Sequence, residues 1–151
     1  MANYTLRWDQ NLPAAKRFVI LAAFNKEAVL DKNTGLVWER SPQTTGATWI
    51  DARRISLEKI VGGQKGWRLP SIPELASLVD PSVAPPGPTL PPGHPFLNVQ
   101  GIYWSATTTV EMPTHAWSVV FVDGSVADYH PMVNNALKVW CVRGGMNADA
   151  Y

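Results

Sequence analysis

Seven of the thirteen prolines fall between Pro81 and Pro95. Proline fixes φ and lacks the N–H that helix interiors and inner strands need, so this stretch is neither helix nor central strand. An isolated run of this kind can serve as a ligand for aromatic-lined grooves. Within a chain of one-domain length, a stiff, extended surface loop is the expectation, with Phe96 and Leu97 tucking it back onto the body. The packed elements must lie on either side of it.

Upstream, the apolar run Phe18 to Phe24 reads as a strand. Ala28–Asp31 and Leu36–Trp38 read as a hairpin over 28–39, because Asn33 and Gly35 accept positive φ between them. Thr48 with Asp51 three residues later resembles a capping box, and it opens a helix. Trp49, Ala52, Ile55, Ile60 and Val61 are assigned to its core face, and Gly62-Gly63 to its stop. Residues 66–70 are a short extended piece. Its Trp67 packs under both helices, and Arg68 has Glu39, Asp51 or Glu74 as candidate carboxylate partners. Ser71, Pro73 and Glu74 start a second helix with the stripe Ile72, Leu75, Leu78, Val79.

Downstream, Ile102–Thr107 is a strand. Ala116–Val122 alternates, with Trp117, Val119 and Phe121 on one face. Asp123-Gly124 reads as a two-residue hairpin turn leading into Ser125–Tyr129. Leu137–Arg143 is rich in Val, Trp and Cys, so it is expected to be central and to pair with the first strands. The order of elements is α+β. Residues 1–17 read as an N-terminal arm with Trp8 and Leu12 as anchors, 18–145 as one domain, and 146–151 as a frayed tail.

The 151 residues are 46% hydrophobic, enough for a core without covalent staples. A formal net charge of +1 argues against nucleic acid as a partner; it permits self-association into a homo-oligomer. The single Cys141 rules out an internal disulfide framework and a two-thiolate zinc site. No apolar run approaches the roughly 18 residues of a membrane span, so no membrane insertion is expected. The start lacks a signal-peptide pattern, which gives a cytoplasmic expectation. Seven Trp suggest a core held by aromatic packing, with Trp38, Trp49, Trp67, Trp104 and Trp140 inside or at its edge and Trp117 left beside a polar loop.

Several segments together resemble a known family. They are Ala28–Asp31, Thr34–Glu39, Trp49–Ala52, Gly66–Ser71 with Glu74-Leu75, Tyr103–Thr107, Ala116-Trp117, Phe121–Gly124 and Cys141–Gly144. In this order and spacing they resemble the Lcl-type domain, named for the C-terminal domain of a bacterial collagen-like adhesin, over residues 27–145. The resemblance implies a C-type-lectin-like fold, with two helices, antiparallel sheets built from both chain ends and a loop-rich half. It also implies a bacterial or phage setting, on a cell surface or a phage particle. Members with known roles bind glycans, including sulfated polysaccharides.

The residue chemistry favours recognition over catalysis. Asp123, Asp128, Asn134 and Asn135 are too scattered for a calcium site, which wants six to eight hard ligands. His94, His115 and His130 are ascribed to solvated loops, so no metal and no cofactor are expected. Cys141, between Trp140 and Val142, reads as a buried, inert thiol. The chain is therefore expected not to be an enzyme. Polar stretches cluster at 107–115, 128–130 and 133–135, on loops where binding residues usually sit. The candidate ligand residues are Thr108, Thr109, Glu111, His115, Trp117, Asp128, Tyr129, His130, Asn134 and Asn135, with Trp117 or Tyr129 stacking on a sugar face. Glycan binding is the leading expectation. A protein-binding receptor of the retroelement-diversified type, and a structural subunit of a bacterial or phage assembly, are the alternatives.

Overall fold

The computed structural model describes residues 12–109, 111, 114–131 and 136–144, with the backbone path alone for 128–131. Trp8, Val133, Asn134, Asn135 and the 146–151 tail lie outside the described residues. The chain enters through one helical turn, α1 (Ala14–Arg17), and then β1 (Phe18–Ile20). Ala14 and Arg17 are buried, so the packed body begins before Phe18. Phe18–Phe24 is not one strand. After Ile20 the chain folds into a 3-10 turn (Ala22–Phe24) closed by Asn25 in the left-handed region. That reversal lets β1 lie antiparallel to β2 (Ala28–Asp31), with Phe18 opposite Asp31.

β2 pairs with β3 (Val37–Glu39), so the hairpin forms as read, with Val29 opposite Trp38. After β4 (Gly46–Ala47), α2 (Trp49–Glu58) starts where the cap places it, with Thr48 accepting the Asp51 N–H. It stops four residues before Gly62-Gly63. Val61 and Gln64 exchange backbone hydrogen bonds at 3.0 Å, which removes the groups that would continue the helix. Ile60 therefore falls outside the helix and is 58% exposed rather than in the core. α3 (Ile72–Ala76) carries a complete capping box between Ser71 and Glu74.

The remaining strands are β5 (Ile102–Thr108), β6 (His115–Val120), β7 (Ser125–Pro131), β8 (Leu137–Lys138) and β9 (Val142–Arg143). One sheet has the order β1-β2-β3-β9 and the other β4-β8-β5-β6-β7; all pairings are antiparallel except β5 with β8. The last apolar run is thus not one strand. It leaves the second sheet at Lys138 and joins the first at Val142, beside β3 as expected for a closing strand. Successive side chains of an extended segment point to opposite sides. Trp140 and Val142 accordingly enter one apolar cluster, while Val139 and Cys141 enter the other. All four are fully buried, which explains why the run shows no polar alternation.

Five tryptophans assigned to the interior are buried. Trp140 is the hub, with ring centroids 5.1–5.6 Å from Phe96, Trp38, Tyr103 and Phe121. Of the three carboxylates offered to Arg68, Glu74 is the one taken, through two bonds of 2.8 and 2.9 Å. Arg68 also donates to the Gly144 carbonyl and bridges by backbone to Val142, tying α3 to β9. Burial pushes the Glu74 carboxyl up, but the Arg68 and Ser71 hydrogen bonds outweigh it and hold the carboxyl below its usual value. A lowered folded-state value stabilises above the unfolded carboxylate range and is lost as pH falls through the folded value. Glu74→Gln should therefore cost about 1–2 kcal/mol at pH 7, discounted for the part-exposed Arg68, and flatten the acid limb of stability. Urea melts of both proteins from pH 7 to pH 3 check this; parallel curves would refute it.

Candidate functional site

Of the three polar stretches of the last third, the described parts of 107–115 and 128–130 meet at one end of β5, β6 and β7. Thr108 lies opposite Ala116, and Thr109 N–H donates to the His115 carbonyl at 3.1 Å. On the other side His115 lies opposite Pro131 and Ala116 opposite His130. This brings Thr108, His115 and the backbone of Asp128–His130 to a common ledge. Glu111 and Thr114 are exposed on the loop above it, and the Thr114 Oγ1 and His115 Nδ1 atoms are 3.1 Å apart. Thr109 is buried at the root of that loop, so it shapes the ledge rather than its surface.

Trp117 occupies the one place on β6 where both neighbours slip register. Trp104 opposes Ser118 and Thr108 opposes Ala116, so Ser105, Ala106 and Thr107 all face Trp117. On the other flank Asp128 and Tyr129 face it, because Ala116 opposes His130 and Ser118 opposes Ala127. Bulges bend a strand and re-aim its side chains, and they gather next to binding sites. The regular alternation expected for Trp117, Val119 and Phe121 is therefore broken. Ser118 and Val119 are both buried, while Trp117 is half-buried.

Two serines, Ser105 and Ser118, hold the irregularity. Ser105 Oγ donates to the Trp117 carbonyl at 2.7 Å and accepts the Thr107 N–H at 3.1 Å. Ser118 Oγ donates to the Ala127 carbonyl at 3.3 Å. These bonds supply partners where the ladder cannot, as buried backbone groups require. A serine inside an apolar strand is the signal that could have pointed to them. Trp49 Nε1 donates to the Ser105 carbonyl at 2.9 Å, which anchors the bulge to α2.

The β6–β7 connection is also longer than read. Val120 opposes Ser125, so the turn is the four residues 121–124 and not Asp123-Gly124 alone. Phe121 is drawn into the core, with its N–H on the Gly101 carbonyl and its carbonyl taking the Thr89 N–H, both at 2.8 Å.

The other reactive groups are engaged structurally. Burial, with the Glu39 carboxylate, pushes the Cys141 thiol up to about 12, and it donates to Ser56 Oγ at 3.4 Å. His94 Nδ1 accepts the Phe96 N–H at 3.1 Å and stacks on its ring, and burial lowers its pKa. Among the described residues no group of three or more His, Cys, Asp or Glu could hold a metal ion. Among the same residues no helix is long and apolar enough to cross a membrane.

A mixed α+β domain with few helices, two mainly antiparallel sheets stitched together by the 138–142 segment and a bulged strand beside polar loops is what these features define. The model of the Lcl C-terminal domain family matches residues 27–143, and the chain belongs to that family. Membership points to a surface or adhesin-type domain. A search of curated proteins gives no match.

Proposed function

We propose that the chain is a non-enzymatic recognition domain of C-type-lectin-like architecture that binds glycan at the β5–β7 ledge without calcium. The observation that carries this reading is the double register slip at Trp117. It leaves Trp117 partly exposed on β6, next to the Thr108–Ala116 and Ala116–His130 pairs, on a scaffold whose other described tryptophans are buried. An indole face offers a flat apolar surface to sugar C–H groups, and threonine and histidine supply hydrogen bonds around it. A domain of this kind acts where glycans are met, on a cell surface or a phage particle.

The test is a glycan and polysaccharide array with the purified protein, with calcium and with a chelator, repeated on Trp117→Ala. We expect saturable binding that survives chelation and falls at least about tenfold in the variant, as for an aromatic anchor at the centre of a contact. The variant will also lose stability, because Trp117 is still mostly buried, so binding is compared at a temperature where circular dichroism shows both proteins folded. Binding that ignores Trp117→Ala would move the site elsewhere. No saturable binding to any glycan would overturn the reading and direct attention to a protein ligand.

A further inference from the structure

The Pro-rich loop is more than a connection. Asp80 N–H donates to the Thr89 carbonyl, and Thr89 donates to the Phe121 carbonyl through both its N–H (2.8 Å) and its Oγ1 (3.1 Å). At Gly87 the backbone sits so close to the β6–β7 turn that a Cβ would lie 2.5 Å from the Phe121 carbonyl oxygen. The loop tip is thereby pinned as the wall of a cleft of about 460 Å³. That volume falls in the range of small-molecule sites, about 300–1,000 Å³.

The cleft has an apolar body and one charge. Pro86 and Pro88 form the wall, Val99 and Phe121 the floor, and Val122 stands exposed at the mouth. Lys138 is the cation, and no acidic residue is among the lining residues. The backbone of Lys138 is paired within the sheet, but its ammonium makes no ion pair or hydrogen bond with a described residue. Its stem is laid over Gly101, which has a positive φ; an added Cβ there would meet Nζ at 3.6 Å, an ordinary contact distance. A cation held beside a preformed apolar slot lacks only a counter-charge mounted on an apolar body.

We infer that the cleft between the Pro81–Pro95 loop and β8 is a second binding site, for a free small carboxylic acid with a flat apolar ring, the ring lying between the prolines and Val99 and the carboxylate meeting Lys138. A single ammonium with no second cation suits one carboxylate better than a phosphate, whose two charges call for a larger donor set. The site lies beyond the Val120 end of β6, and the four steps from Trp117 to Phe121 separate the two by on the order of 13 Å, at about 3.3 Å per residue. It does not rest on the glycan reading.

The probes are naphthalene-2-carboxylate and its neutral amide, titrated into the full ¹⁵N-labelled chain. We expect saturable amide shifts confined to residues 87, 99–101, 121–122 and 138, with the acid bound about tenfold more tightly than the amide. Lys138→Met keeps the stem over Gly101 and removes the charge, so it should erase the preference while leaving amide affinity unchanged. Lys138→Arg should retain it, and Trp117→Ala should have no effect. Shifts that fail to saturate, that map elsewhere, or an acid preference that survives Lys138→Met would each overturn the inference. Should either Lys138 variant fail to fold, the acid–amide comparison and the shift map on the native chain still decide it.

Discussion

Replacing Trp140 by alanine should remove about 3–5 kcal/mol of stability, the range for emptying a buried aromatic site. Domains of this size hold only about 5–15 kcal/mol in all. Trp140 is fully buried and touches the rings of Trp38, Phe96, Tyr103 and Phe121, which come from the first sheet, the residues after the Pro-rich loop, the second sheet and the β6–β7 turn. Its Nε1 also donates to the Glu39 carbonyl at 2.9 Å. Side chains from both sheets lose contact together, so the hole cannot close by a local shift. Trp140→Phe should cost less, since it keeps a ring and loses the polar bond. Urea unfolding followed by circular dichroism measures both; a loss below about 1.5 kcal/mol for the alanine variant would contradict this account of the hub.

The second large effect lies at the chain entrance. Arg17 grips Asp31 through two bonds of 2.8 and 2.9 Å, and the Asp31 carboxylate is wholly buried. The same groups reach further, as Arg17 Nη2 donates to the Ser77 carbonyl and Asp31 Oδ1 accepts the Asn33 N–H. The pair therefore ties α1, the first hairpin and the end of α3. Arg17→Met strands a buried carboxylate and Asp31→Leu strands a buried guanidinium, and each should cost about 3–5 kcal/mol. The double substitution should be far less harmful than the sum, because an apolar pair leaves no uncompensated charge. A double-mutant cycle in urea reads this directly. Additive losses would mean that the two charges are stabilised separately.

Local signals were legible where the chemistry that decides them is local. Thr48 and Ser71 each cap a helix whose first turn lies within three residues, so their helices begin where the sequence puts them. The Asp31–Gly35 turn works for the same reason, with the Gly35 N–H on the Asp31 carbonyl at 2.7 Å. Helix and strand ends were less legible. Ile60 looked like core because the apolar spacing continued past Glu58, yet the Val61–Gln64 exchange ended the helix first. Phe18–Phe24 looked like one strand because nothing polar interrupts it, although β1 must turn back after Ile20 to meet β2. The polar loops of the candidate site could be read from composition, but the unusual environment of Trp117 could not.

What the sequence determined by itself was an α+β order of elements, two helix starts, an interior built on tryptophan, a closing strand that pairs with the first ones and a stiff proline segment. Each follows from properties of a few neighbouring residues: φ limits, missing donors, caps and apolar area. Tertiary structure alone decided that the last apolar run serves two sheets, that Glu74 and not Glu39 or Asp51 takes Arg68, that β5 and β7 both slip against Trp117, and that the proline loop walls a cleft beside Lys138. These outcomes depend on which of several similar partners lies opposite across a sheet or loop. Period-two alternation is the same in every register, so only the packing of residues far apart in the chain selects one.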